Sequence, residues 1–203
     1  MKFAVPSIVL AALAITAFGA SIPGRGVATS TVRTNTAADS TISYSTAKNK
    51  DGSLSALNHR GGESTLITSG ENNDHELILL GFNLPGQVKD TSLITKCILH
   101  VPAPKKSPNK DYKLAAYTAS SNWEESTVNG ATRITISQAA GSTNVQKGHN
   151  PSNIDATSAC RAASEGKFSM FINTSGPKVE FNSRSSGKQS FYIDITYTQA
   201  AKS

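Results

Sequence analysis

The sequence is poor in charge, aromatics and sulfur. Only 17% of its 203 residues are Asp, Glu, Lys or Arg and 6% are aromatic, with two cysteines, two methionines and one tryptophan. It contains no nucleophile elbow, phosphate loop, dinucleotide fingerprint or paired metal motif, so the common nucleophilic, nucleotide-dependent and metal-dependent enzyme classes have no foothold in it. His59, His75, His100 and His149 are scattered, without the close spacing of a zinc site, and read as surface or strand residues; no transition metal is expected. The Lys and Arg residues are scattered too, with no basic helix and no RNA-binding aromatic signature, so no nucleic acid partner is expected. Past the N-terminus no stretch approaches the ~20 apolar residues of a membrane helix, and Ala201-Lys202-Ser203 carries no lipidation signal.

What the chain does have begins at its start. Met1 and Lys2 form a short positive region, Phe3 to Phe18 an apolar run, and Ala17, Gly19, Ala20 and Ser21 a small-residue exit before Pro23 and Gly24. This is the layout of a secretory signal peptide over residues 1–20, and it predicts a soluble, extracellular mature protein. The formal charge is +6, or +5 once Lys2 is removed with the signal. A basic surface of this size suits an acidic partner, such as a polyuronate or anionic wall material. In an oxidising compartment Cys97 and Cys160, 63 residues apart, read as one disulfide, with two buried unpaired thiols as the alternative.

Ser and Thr are abundant, and β-branched residues alternate with Gly/Asn/Ser breaks, which favours an all-β domain. Residues 21–38 are Gly, Ser, Thr and Ala with two Arg and read as a flexible leader, a candidate for O-glycosylation. From Asp39 onward strand signals recur: 40–46, 64–68, 76–84, 93–101, 112–119, 132–137, 167–172, 178–182 and 191–198. In 76–84, Ile78, Leu80, Phe82 and Leu84 share one face and Leu77 and Leu79 the other, so both sides are covered. Cys97 falls on the apolar face of its strand with Leu93, Leu99 and Val101. Residues 138–153 read as a long polar loop, and 156–165 as one helical turn stopped by Gly166. The sum is a single jelly-roll β-sandwich of about nine or ten short antiparallel strands over residues 39–199.

Several segments fall in a familiar order: Asp39-Ser-Thr-Ile42, Leu79-Leu-Gly-Phe-Asn-Leu84, Ile94 to Leu99, Trp123-Glu-Glu-Ser-Thr-Val128, Ile154-Asp-Ala-Thr157, Val179-Glu-Phe-Asn-Ser-Arg184 and Phe191 to Thr198. Together they resemble the DNRLRE-type β-sandwich domain grouped with the family 96 carbohydrate-binding modules. Asn83, Asn129 and Ser185 depart from that pattern, which more often has Asp, Trp and Glu there. The resemblance implies a secreted, non-catalytic jelly roll that binds polysaccharide, of the acidic, alginate-like kind. Two other readings stand beside it: a structural cell-wall or spore-surface protein without a defined ligand, and a polysaccharide lyase using His100 and Tyr112 around a sugar carboxylate.

The candidate site residues follow from this chemistry. Lys105, Lys106, Lys110 and Lys113, with Tyr112 beside them, are expected to grip carboxylates, the lysines as point charges and the tyrosine as a platform. Trp123 is expected either to stack on a sugar or to close the sandwich edge. Glu124 and Glu125 are neighbours in a turn and do not face each other across the ~5–9 Å gap of a glycosidase pair; Glu125 is expected to hold backbone amides. Asp39 is the first choice of ligand for a structural calcium ion, with no other cofactor expected. Asn173-Thr-Ser175 is a glycosylation sequon.

Overall fold

A computed structural model describes residues 28–70 and 75–199 of the chain. The expected signal peptide and residues 21–27 of the expected leader lie outside them. Among the described residues there are ten strands: β1 (Thr29–Ser43), β2 (Thr65–Thr68), β3 (Glu76–Asn83), β4 (Ile94–His100), β5 (Tyr112–Ala119), β6 (Ile136–Val145), β7 (Ile154–Asp155), β8 (Lys167–Thr174), β9 (Val179–Asn182) and β10 (Tyr192–Thr198). One short helix, α1 (Thr157–Arg161), falls within the expected helical turn. The strand pairings are antiparallel, and the all-β sandwich read from the sequence is the fold observed.

β1 organises the sandwich. Residues 29–35 pair with β10, and residues 36–43 pair with β3. A register shift between Thr36 and Ala38 marks the change of partner, and the Thr36 hydroxyl donates to the Phe191 carbonyl at that point (2.7 Å). One strand thus serves both layers, β10–β4–β7 and β3–β8–β5–β6. The expected leader is therefore corrected: residues 29–38 are strand. Thr29, Thr31, Val32, Thr34 and Thr36 favour extended backbone, and an outer-facing Arg33–Asp194 pair joins β1 to β10. With Val32 its only large apolar residue, this half of the strand has no hydrophobic alternation to announce it.

Between the layers lies the main core. Ile78, Leu80, Phe82, Leu114, Met170 and Ile172 of one layer pack against Ile94, Leu99, Ile193 and Ile195 of the other. Phe82 stacks on Phe168 (5.3 Å between centroids) and Phe181 meets Phe191 edge-on (5.2 Å). The two-stranded β2–β9 sheet adds Leu66, Val179 and Phe181. Cys97 of β4 and Cys160 of α1 form a disulfide, and both are fully buried. Arg161, the next residue, donates from Nε and Nη2 to the Ile94 carbonyl (2.9 and 2.7 Å), so α1 is held to β4 twice.

β6 is the second correction. The strand expected at 132–137 runs instead from Ile136 to Val145, through residues read as loop. It lies at the end of the strand order, is largely exposed and is paired with β5 through two register shifts. An edge strand of this kind needs few apolar residues, so its composition looks like a loop.

The outer face of β3, β8 and β5 is covered by the segment from Ser120 to Thr135. Val128, Trp123 and Ile134 of that segment pack on Leu79, Phe171, Ala119 and Ile42 in a second, smaller cluster. This explains the two-sided pattern of β3: Ile78, Leu80 and Phe82 enter the main core while Leu77 and Leu79 join the outer cluster.

Candidate functional site

Four small residues cross neighbouring strands in one row on that outer face. Ala119 of β5 pairs with Ser169 of β8, Ser169 with Gly81 of β3, and Gly81 with Ala38 of β1. The missing side-chain bulk leaves a shallow channel, and Trp123 lies in it. Its Nε1 donates to Ser169 Oγ (3.0 Å), and its ring edge comes within 3.0 Å of where a β-carbon on Gly81 would stand. The indole is half-buried, with a groove on either side. One, of about 280 Å³, is lined by Ala38, Gly81, Asn83 and Phe168; the other, of about 840 Å³, by Asn122, Thr127, Thr132 and Glu165. Ser121, Trp123, Glu124 and Lys167 line both. Trp123 is thus a structural strut and, at the same time, the wall between two polar grooves.

Behind it the turn is fixed by an ionic network. Glu125 accepts the Gly62 backbone N–H at Oε1 (3.0 Å) and the Arg184 guanidinium at Oε2. It does hold a backbone amide, from a distant segment rather than from its own turn. Glu124 is exposed on the groove rim. The Arg184 backbone N–H donates to Asp39 Oδ2 (2.7 Å), whereas Asp39 Oδ1 is buried without a partner. Burial, and secondarily the nearby Glu125 charge, push the Asp39 carboxyl up to about 6 against the pull of the Arg184 amide and guanidinium. Calcium takes six to eight oxygens. Here one oxygen is open, the adjacent Glu125 is committed to Arg184, and no cluster of three His, Cys, Asp or Glu suited to a metal occurs among the described residues. These donors do not fit the ion.

The basic segment does not form the single clamp expected of it. Tyr112 is buried in the main core and its hydroxyl has no partner; burial raises it to about 12. It is neither a sugar platform nor a lyase base, and the His100–Tyr112 pair of the lyase reading is not assembled. The signal was available in the sequence: Tyr112 shares its strand face with Leu114 and Ala116. Lys105 is drawn to the β2–β9 sheet, its N–H on the Glu180 carbonyl (2.8 Å) and its Nζ on Thr65 Oγ1. Lys106 and Lys110 are exposed in the β4–β5 connection. Lys113 alternates with the core residues of β5 and so stands on the face that carries Trp123. Six residues separate it from Ala119, roughly 20 Å at ~3.3 Å per strand residue.

On the opposite layer His100 joins a cluster that sequence reasoning missed. Its Nε2 lies 2.9 Å from Asp194 Oδ2 and its ring stacks on Tyr192 (4.2 Å). Arg33 lies over the same Tyr192 ring (4.1 Å) and donates twice to Asp194. Its residues come from β1, β4 and β10 and meet only through the strand register. Asn173, expected just past a strand, lies inside β8 opposite Ala115 and is half-buried.

The molecule is thus a β-sandwich whose outer face carries two grooves that share Trp123. The chain belongs to carbohydrate-binding module family 96, whose sequence profile matches residues 30–197, from the second residue of β1. It is also 30% identical over 129 residues to an uncharacterized secreted protein of Arthroderma benhamiae (strain ATCC MYA-4681 / CBS 112371), a match covering 63% of this chain and 65% of that protein. The chain thus spans less than two thirds of that relative's length. Among the described residues no helix is long and apolar enough to cross a membrane.

Proposed function

We propose that the protein is a secreted, non-catalytic module that binds an acidic polysaccharide along the outer face of β8 and β5. The observation that carries this is the placement of Trp123 between two grooves on a row of small residues. Apolar sugar faces pack on an aromatic wall, and the polar rim supplies hydrogen bonds to hydroxyls. Preference for an anionic chain is assigned to Lys167 beside Trp123 and Lys113 farther along the same face, against the opposing charges of Glu124 and Glu165 on the groove linings. The excess of 20 Lys and Arg over 14 Asp and Glu supports it. Secretion is supported by the N-terminal apolar run, the buried disulfide and the secreted relative.

Affinity electrophoresis in gels containing alginate or polygalacturonate tests the proposal. Retardation is expected for the wild type and is expected to weaken in Trp123→Phe and in Lys167→Ala/Lys113→Ala, each checked for native circular dichroism. Unchanged retardation in both variants would move the site elsewhere. An ultraviolet rise from unsaturated sugar ends would revive the lyase reading. The absence of saturable binding to any glycan would leave the structural wall role.

A further inference from the structure

A third groove, of about 790 Å³, lies away from Trp123 between the segment 43–60 and residues Glu63, Ser69, Glu76 and Lys178. Its volume is in the range of small-molecule sites, ~300–1,000 Å³. Serine hydroxyls and the amides of Asn49 and Asn58 dominate its lining, and the Ser55 hydroxyl is buried without a partner. Among the described residues its charges are balanced: Arg60 and Lys178 stand against Glu63 and Glu76, with His59 beside them, and Arg60 bridges Glu76 (2.7 Å) and Glu63 (3.1 Å). Lys178 is exposed and also lies 3.4 Å from Glu180.

The apolar side chains are as telling. Four large hydrophobics are exposed among the described residues, and three of them, Tyr44 (39%), Leu54 (43%) and Leu57 (51%), come from this one segment. Leu57 lines the groove, while Tyr44 and Leu54 adjoin lining residues. The wall is held in place: the Gly130 N–H donates to the Ala56 carbonyl (2.7 Å) and Asn129 Nδ2 to the Leu57 carbonyl (3.0 Å). A Cβ on Gly130 would collide with the Ser43 carbonyl at 2.0 Å, so the two segments meet at backbone distance.

Hydroxyls, amides, balanced charge and the exposed Leu57 side chain on one groove match a pyranose, with its apolar faces and its equatorial hydroxyls. We infer that this groove is a second glycan site and that it takes neutral sugar chains, in contrast to the acidic ligand proposed for the Trp123 face. The inference rests on the reading of the protein as a glycan-binding module.

The test is affinity electrophoresis of the whole mature chain against neutral polysaccharides (laminarin, xylan, galactomannan) and anionic ones (alginate, polygalacturonate). Leu57→Ser/Asn58→Ala removes exposed groups of the groove, and Trp123→Phe alters the other site. The expected result is retardation by at least one neutral polysaccharide, weakened about tenfold in Leu57→Ser/Asn58→Ala and kept in Trp123→Phe. Binding to anionic chains alone would overturn the inference and leave the acidic-glycan reading standing. Neutral binding that survives Leu57→Ser/Asn58→Ala would overturn it as well. Binding to none of the five would overturn both.

Discussion

Trp123 and Gly81 are fitted to one another: the indole edge lies 3.0 Å from the position a β-carbon on residue 81 would take, a tight contact even for that one added atom. Gly81→Val is therefore expected to lift the indole from β3 and to lower stability by about 1–3 kcal/mol, the usual cost of overpacking. Trp123 is the only tryptophan, so the emission reports on the surroundings of this one ring. A shift of the native spectrum together with a lower urea midpoint is the expected pair of results. An unchanged spectrum would show that the ring does not rest on Gly81.

The disulfide closes a 63-residue separation and ties α1 to β4. In the chain-entropy description a loop of that length stabilises by ~4 kcal/mol, with measured values commonly ~2–4. Urea unfolding of the oxidised protein and of Cys97→Ala/Cys160→Ala is expected to differ by an amount in that range. Thiol titration of the unfolded, unreduced chain should find no free sulfhydryl.

Asp39 makes stability depend on pH in an unusual direction. Its carboxyl stands at about 6 in the folded protein against an ordinary 3.8, so the folded state binds the proton more tightly than the unfolded one. The stabilisation from that proton is complete below pH ~4 and is lost as pH rises through ~6, roughly 3 kcal/mol in all. Asp51, Asp90, Asp155 and Asp194 are lowered, each chiefly by a hydrogen bond, and act in the opposite sense as pH falls below the carboxylate range. Thermal melts between pH 4 and 7 should therefore show a decline in the wild type that is absent in Asp39→Asn. Parallel curves would place the Asp39 carboxyl in the ordinary range.

Ser164 and Lys167 exchange both backbone hydrogen bonds across Glu165 and Gly166, whose φ angles are 52° and 73°. Two successive left-handed residues suit Asn-Gly or Gly-Gly, and a glutamate there is strained. Glu165→Asn is expected to raise the unfolding free energy by about 0.5–1 kcal/mol, and Gly166→Ala to lower it by about 1–2. Glu165 is exposed on a groove rim, so the same variant tests whether its charge opposes an acidic ligand.

Strands carrying apolar alternation, such as β3 and β10, were legible because their periodicity reports a buried face. The first half of β1 and nearly all of β6 were not: threonines, serines and exposed positions fill them, and backbone ladders and an ion pair hold them, with few side chains such as Val32, Ala140 and Val145 reaching the core. The network of Glu125 was half legible, since its role as a backbone acceptor could be inferred but not its distant partner, Gly62. Ala38, Gly81, Ala119 and Ser169 were mute individually, because four small residues become a channel only when four strands align them. The lysines of 105–113 misled in another way. Closeness in sequence suggested a cluster, but Lys105 turns to the β2–β9 sheet while β5 carries Lys113 away on its outer face.

The pairing of β1 with β10 also has a mechanical meaning. Thr29 lies opposite Thr198, and the ladder then runs inward to Asn35 and Tyr192. Tension applied between residues 28 and 199 therefore opens this ladder one rung after another, like a zipper, instead of loading all seven rungs at once in shear. Held at both ends, the module would yield stepwise at low force.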